Sequence, residues 1–180
     1  LLISNETTLF DIFHTRTPQS LQPACRSRRV KVFSVYNHMM IPQFFRSAEE
    51  DYAHLKSAVQ VWDISCERQV EVICPEAKYL VQMTTPRDLS GMEDDQCYYI
   101  PMVDEQGMML NDPIAIKLSK DRYWLSLADS DMLYYCKGLA SGFKLNVRVF
   151  EPDVSPLAIQ GPKAEELVVR VLERISSTPD

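Results

Sequence analysis

Glycine is scarce in this 180-residue chain, with five isolated residues at positions 91, 107, 138, 142 and 161. Loops that hold phosphates through backbone N–H groups need several glycines within a few positions. The sequence therefore contains neither a dinucleotide-binding fingerprint nor a P-loop. The nearest pattern is Leu157–Pro162, a strand–turn–helix junction in which the turn requires Gly161.

Patterns for metal ligands and for activated nucleophiles are also missing. No CxxC pair and no GxSxG motif occurs, and the three histidines are not spaced along the chain as metal ligands usually are. A Ser/His/Asp or Cys/His site assembled from distant residues stays open, but nothing local supports one. The five cysteines are odd in number and scattered, which favours buried free thiols in a reducing compartment such as the cytoplasm.

Positive charge and long apolar runs are lacking too. The net charge of −6 argues against a nucleic-acid binder with a basic surface. No apolar run approaches the length of a membrane span. Hydrophobic residues at 46% and charged residues at 24% are typical of a soluble globular protein.

The first segment differs in composition from the rest. Residues 15–31 carry five basic side chains and no acidic one. We predict that residues 1–29 form a solvated, poorly ordered leader; the alternative is a phosphate-binding or mitochondrial targeting stretch. The chain opens on Leu1 and ends in polar residues after a strongly patterned helix, so we expect a fragment, with residues 30–180 as its folded part.

From Val30 onward, strand and helix patterns alternate along the chain. Ser47 and Glu50 form a capping box before a helix with Tyr52, Leu55 and Val59 on one face. Other helices are predicted after Pro75, Ser130 and Pro162, and strands at Val30–Tyr36, Val61–Cys66, Gln69–Ile73, Leu145–Val149 and Leu157–Ile159. This order predicts an α+β fold: antiparallel sheets with helices on one face.

The central stretch, Cys97–Leu127, reads as three consecutive strands, and the apolar and aromatic run Cys97–Val103 is the first of them. Asp104–Gly107 supplies a tight turn, and Ile114 then begins a strand with period-two alternation. By that alternation the Asp112 side chain points the same way as that of Ile114, so a carboxylate lies at the start of an apolar strand face. One interpretation is a turn residue that caps the hairpin; the other is a functional carboxylate at the mouth of a pocket.

Several segments together resemble the folate-dependent aminomethyltransferase family, which includes the T-protein of glycine cleavage. They are Val61–Ser65, the Gln96–Pro113 hairpin with Asn111-Asp112 near its end, Ala128-Asp129 and Leu157–Pro162. Five longer runs occur in the family's order, at residues 35–56, 61–72, 85–92, 110–135 and 150–167. The resemblance covers roughly residues 30–172. Such proteins have three domains around a folate channel, and this chain would be the N-terminal part of the folate-binding domain.

The resemblance implies a tetrahydrofolate cofactor and a small-molecule methyl donor. It is strongest to members whose donor is the sulfonium dimethylsulfoniopropionate, with 5-methyltetrahydrofolate and methylmercaptopropionate as products. The family's folate-facing aspartate falls on Asp112, the expected catalytic residue, and its pocket tyrosine falls on Tyr99. Ile114 would contact the ring system, and Ser126 is a further pocket candidate for substrate binding. No metal, nucleic acid or membrane is implied, and a homodimer stays open.

The chain departs from the family at several positions. The T-protein has two adjacent aspartates where this chain has Asn111-Asp112, which disfavours the glycine-cleavage reaction. Cys74 and Asp95 replace glycines, and Met108 replaces the second glycine of the turn. If the lost glycines had positive φ, each loop is strained by about 1 kcal/mol or more. Two alternatives therefore remain: an aminomethyltransferase acting on an amine, and a non-catalytic folate-binding module.

Overall fold

The computed structural model describes residues 30–37, 39–127 and 131–176. The leader predicted for residues 1–29 and the Ala128-Asp129 segment lie outside the described residues. Within the described ranges the chain forms eleven strands and four helices. The strands are β1 (Val32–Tyr36), β2 (Met39–Phe44), β3 (Gln60–Asp63), β4 (Gln69–Ile73), β5 (Cys97–Tyr99), β6 (Met102–Val103), β7 (Met109–Asn111), β8 (Ile114–Ser119), β9 (Arg122–Ser126), β10 (Arg148–Phe150) and β11 (Leu157–Gln160). The helices are α1 (Ala48–Ser57), α2 (Ala77–Met83), α3 (Met132–Gly142) and α4 (Ala164–Ser176).

The chain divides into two compact units. One contains the residues up to Cys66 and those from Val154, and the other spans Glu67–Asp153. The first unit holds the β1–β2 hairpin, α1, the antiparallel pair β3–β11 and α4. None of the described helices in either unit is long and apolar enough to cross a bilayer.

The second unit is built on a five-stranded sheet with the order β10-β4-β9-β8-β5, in which all neighbours are antiparallel. One face of the sheet packs against α2 and α3. The apolar side chains that meet in this core are Val70, Val72, Ala115, Tyr123 and Leu125 from the sheet and Ala77, Leu80, Val81, Met132 and Cys136 from the helices. This architecture confirms the predicted α+β class with helices on one face.

The prediction of one continuous strand over Cys97–Val103 is wrong. The strand breaks at Ile100-Pro101, and β6 leaves the large sheet to pair with β7 in a separate hairpin. Proline has no N–H to donate to a ladder, so Pro101 favours this break. The Ile100 N–H still donates to the Pro113 carbonyl at 2.9 Å, which keeps the end of β5 beside the start of β8.

Two helix predictions also need correction. The capping box is present, with the Ser47 hydroxyl accepting from the Glu50 N–H, but α1 ends at Ser57 because Ala58 leaves the helical region. Val59 therefore lies beyond the helix, and Tyr52 is 63% exposed. The N-cap of α3 is Asp131, whose side chain makes no capping bond; Ser130 lies outside the described residues.

Positive φ angles occur at two turn glycines and at two of the three residues expected to replace glycines; Met108, the third, is not among the positive-φ residues of the described ranges. Gly107 has φ +80° in the β6–β7 turn, and Gly161 has φ +123° before α4. Cys74 and Asp95, which the resemblance places at glycine positions, have φ 91° and 63°. A residue with a Cβ is strained at positive φ, so the backbone is strained at both Cys74 and Asp95.

Candidate functional site

The sheet face opposite the helical core carries the predicted site residues in one row. Tyr99 on β5 lies opposite Ile114 on β8, and Ile114 lies opposite Ser126 on β9. Ser126 in turn lies opposite Gln69 on β4. Side chains directly opposite each other in a sheet share one face, so the four form a continuous row across four strands.

The exposed end of this row holds the tyrosine and the aspartate together. The Tyr99 hydroxyl donates to Oδ2 of Asp112 at 2.6 Å. Both side chains reach the surface, and Tyr99 is 51% exposed. The bond to the carboxylate is the main reason that the pKa of Tyr99 is raised, with desolvation and the Asp112 charge adding to it. The phenol therefore stays protonated and remains a donor at neutral pH.

Asn111 and Asp112 point to opposite sides, as their alternation predicted. Asn111 is buried, and its Oδ1 accepts from the Asp112 N–H at 2.9 Å. Pro113, also buried, leads into β8, so the chain is anchored on both sides of Asp112. The carboxylate is thereby presented outward beside Ile114, which is itself exposed.

The inner end of the row is polar and largely shielded. Nε2 of Gln69 donates to the Ser126 hydroxyl oxygen and to the Glu67 carbonyl, each at 3.0 Å. Gln69 is only 6% exposed. The sequence patterns did not point to Gln69; the available signal was a strand in which polar Gln69 and Glu71 alternate with apolar Val70 and Val72.

Arg87 holds the backbone of Tyr99 in place and was also missed at the sequence level. Its guanidinium lies 4.6 Å from the centre of the Tyr98 ring and donates to the Tyr99 carbonyl at 2.7 Å. Gln82 fixes the preceding loop by donating to the Thr85 and Arg87 carbonyls. The run at residues 85–92, noted only for its resemblance, therefore supports the end of β5.

A second row lies one step along the same face. Ile116 lies opposite Cys97 on one side and Trp124 on the other, and Trp124 lies opposite Glu71. Glu71 is buried and is paired with Arg122 at 2.5 Å, which offsets the cost of burying its charge. The expectation of buried thiols is wrong for Cys97, which is exposed on this face, whereas it is confirmed for the thiols of Cys66 and Cys136.

Metal ligands are not gathered at this face. Among the described residues, no group of three histidine, cysteine, aspartate or glutamate side chains is arranged to hold an ion. The polar groups of the first row are the Asp112 carboxylate, the Tyr99 and Ser126 hydroxyls and the Gln69 amide, and they surround the aliphatic side chain of Ile114. Such a set is suited to a flat heterocycle with hydrogen-bond donors and acceptors on its edges.

Comparison with known proteins gives the family. The model of the GCVT N-terminal domain matches residues 21–179, nearly the whole chain. The chain belongs to this family. Within the family, it is 53% identical over 156 residues to the dimethylsulfoniopropionate demethylase of Ruegeria pomeroyi, and the match covers 87% of this chain and 42% of that protein. The resemblance stated from the sequence is thus confirmed.

More distant members match over similar ranges. The aminomethyltransferase of Alkaliphilus oremlandii is 27% identical over 128 residues, covering 69% of this chain and 34% of that protein. The crystal structure of the glycine cleavage system aminomethyltransferase T from Bartonella henselae superimposes with a TM-score of 0.75 at 20% identity, over 86% of this chain and 42% of that one. This match shows the fold. The chain spans less than half the length of these relatives.

Proposed function

We propose that this chain is the tetrahydrofolate-binding N-terminal part of a methyltransferase that demethylates dimethylsulfoniopropionate. The products are 5-methyltetrahydrofolate and methylmercaptopropionate. The observation that carries the proposal is the 53% identity to a protein named for this reaction, against 27% to a relative named aminomethyltransferase. Asn111, in place of the first of two aspartates, also favours the sulfonium over the glycine-cleavage donor.

The row of side chains fits a reduced pterin. When bound, tetrahydrofolate supplies the ring nitrogen that accepts the methyl group. The Asp112 carboxylate would hold the ring by accepting hydrogen bonds from its N–H groups, and the Tyr99 hydroxyl fixes the position of that carboxylate through their 2.6 Å bond. Ile114 offers an exposed aliphatic surface for the ring, two residues from Asp112. Ser126 contributes a hydroxyl on the far side of Ile114.

Direct displacement explains why so few reactive groups are needed. A sulfonium carries a good leaving group, the neutral thioether, so its methyl group can pass to the folate nitrogen without a protein nucleophile. The electron pair of the broken C–S bond stays on sulfur, and the methylated nitrogen releases its proton to water. Catalysis is then mainly positioning, and well-oriented partners lower a barrier by about 7–11 kcal/mol. The negative charge of Asp112 additionally favours a cationic donor nearby.

The described cysteines are thiols rather than disulfides, which suits a cytoplasmic enzyme. Its partners are small molecules, with neither nucleic acid nor membrane among them. Analytical ultracentrifugation of the complete protein tests the homodimer that the sequence allows.

The test uses the protein made from its complete reading frame, incubated with dimethylsulfoniopropionate and tetrahydrofolate. We expect stoichiometric methylmercaptopropionate and 5-methyltetrahydrofolate, detected by mass spectrometry. Asp112→Asn should lower the rate at least tenfold, whereas Asp153→Asn, an exposed carboxylate in the loop after β10, should leave it unchanged. Turnover of an amine donor alone would favour the aminomethyltransferase. An absence of any turnover would favour the non-catalytic module.

A further inference from the structure

We infer that Gln69 is a positioning residue that fixes the direction of the Ser126 hydroxyl, making Ser126 a hydrogen-bond donor toward a pterin acceptor. This inference rests on the proposed function, because it concerns how the same face binds tetrahydrofolate. It adds Gln69 as a positioning residue at the inner end of the row and assigns the Ser126 hydroxyl the role of hydrogen-bond donor.

The orientation of the Gln69 amide follows from its two partners. One is the main-chain carbonyl of Glu67, which is only an acceptor, so the nitrogen of the amide must face it. The same nitrogen reaches the Ser126 oxygen at 3.0 Å. The amide therefore cannot be reversed without losing the bond to Glu67, and burial of Gln69 makes such a loss costly.

The orientation of the Gln69 amide decides whether the Ser126 hydroxyl donates or accepts a hydrogen bond. Its oxygen accepts from Gln69, and a hydroxyl has a single proton to donate elsewhere. Among the side-chain hydrogen bonds of the described residues, the Ser126 hydroxyl takes part only as this acceptor. Its O–H is thus available to a ligand lying on the sheet face beside Ile114.

The spacing of the strands places this donor at a suitable distance from the other polar end. Neighbouring strands lie about 4.8 Å apart, so Tyr99 and Ser126, two strands apart, are separated by about 9–10 Å. A fused two-ring heterocycle centred over Ile114 spans this interval. Its N–H edge then faces the Asp112 carboxylate, and a ring acceptor faces the Ser126 hydroxyl.

A double-mutant cycle tests the inference in the complete protein. The dissociation constant of tetrahydrofolate is measured by fluorescence quenching for wild type, Gln69→Met, Ser126→Ala and the double variant. We expect Gln69→Met to weaken binding three- to tenfold when Ser126 is present, about 0.7–1.4 kcal/mol, and less than twofold when alanine replaces Ser126. Ser126→Thr, which keeps a hydroxyl, should retain most of the affinity.

A second variant makes the test independent of packing at Gln69. Gln69→Glu keeps the size of the side chain but replaces the donor with an acceptor, which would draw the Ser126 proton away from the ligand. It should weaken binding at least as much as Ser126→Ala does. The matched control is Gln60→Met, since Gln60 also donates from a partly buried amide to a carbonyl, that of Asp51, away from this row.

The outcomes separate the inference from the proposed function. Equal losses for Gln69→Met in the wild-type and Ser126→Ala backgrounds, or a similar loss for Gln60→Met, would overturn the inference alone. A wild-type protein that does not bind tetrahydrofolate would overturn the proposed function and the inference together. Melting temperatures, measured in parallel, show whether a weakened variant is merely unfolded.

Discussion

The hydroxyl of Tyr99 lies 2.6 Å from a carboxylate oxygen of Asp112, thirteen residues further along the chain. Between them the chain leaves the large sheet, forms the β6–β7 hairpin and returns. The bond therefore joins the last residue of β5 to the residue that follows β7 and precedes Pro113. It ties a tyrosine and an aspartate, both exposed, at one end of a row that runs inward to a buried glutamine.

Removing the tyrosine hydroxyl tests whether this bond serves ligand binding. Tyr99→Phe leaves the Asp112 carboxylate without its donor, so we expect tetrahydrofolate to bind about three- to tenfold more weakly, since one hydrogen bond to a charged group is lost. The melting temperature should change little because both side chains are exposed. Tyr134→Phe, at an exposed tyrosine on α3, is the control and should leave affinity unchanged. A lower melting temperature with affinity intact would assign Tyr99–Asp112 a structural role only.

Restoring glycine at position 74 tests the backbone strain. Cys74 has φ 91°, and its N–H and carbonyl are bonded to Asp121 and Ala77, which hold it in that conformation. Cys74→Gly should raise the free energy of unfolding by about 1 kcal/mol, because glycine adopts positive φ without steric cost. Cys74→Ala keeps the Cβ and should bring no such gain. Chemical denaturation measures both, and equal effects of the two variants would contradict the strain account.

The glycine before α4 should not tolerate a side chain. A Cβ on Gly161 would lie 2.5 Å from the Ala58 carbonyl oxygen and 2.9 Å from that of Leu55, with φ already at +123°. Gly161→Ala should therefore destabilise the first unit by about 3 kcal/mol or more, seen as a lower melting temperature. Gly138→Ala is the contrast, since Gly138 lies in α3 with open space around it and alanine favours a helix. A neutral Gly161→Ala variant would show that this contact is not rigid.

Alkaline pH should weaken the core through Cys136. Burial raises the pKa of this thiol from 9.0 to about 12. Because the folded pKa is the higher one, the contribution to stability is complete below about pH 9 and is lost as pH rises toward about 12, with a slope of about 1.4 kcal/mol per pH unit. Cys136→Ala should flatten this slope, whatever it does to the overall stability.

The control for this titration is Cys97→Ala, which removes an exposed thiol and should leave the slope unchanged. Burial also raises the pKa of Tyr123 and of Tyr135, and both tyrosines remain in every variant compared. Denaturant unfolding curves between about pH 8 and pH 10.5, a range that brackets the unfolded thiol pKa, provide the measurement. Identical slopes for wild type and Cys136→Ala would rule out the thiol as the source.

The sequence by itself determined the local features of this protein. Period-two alternation placed Asp112 and Ile114 on one side of the chain and Asn111 on the other, as found. The helix predicted after Pro75 forms as α2, with Ala77, Leu80 and Val81 buried. The resemblance made strain at Cys74 and Asp95 conditional on positive φ, and both residues have positive φ. Each of these features depends only on residues within a few positions of one another.

The tertiary structure alone decided which residues share the row. Alternation tells which face of a strand a side chain occupies, but it does not tell which strand lies alongside or in which register. Pairing of β4 with β9, between residues 57 positions apart, brings Gln69 to Ser126, and pairing of β5 with β8 brings Tyr99 to Ile114. The break at Pro101 likewise required β7 as an alternative partner for β6. Long-range pairing is set by the packing of the whole sheet on α2 and α3, and no short stretch of sequence encodes it.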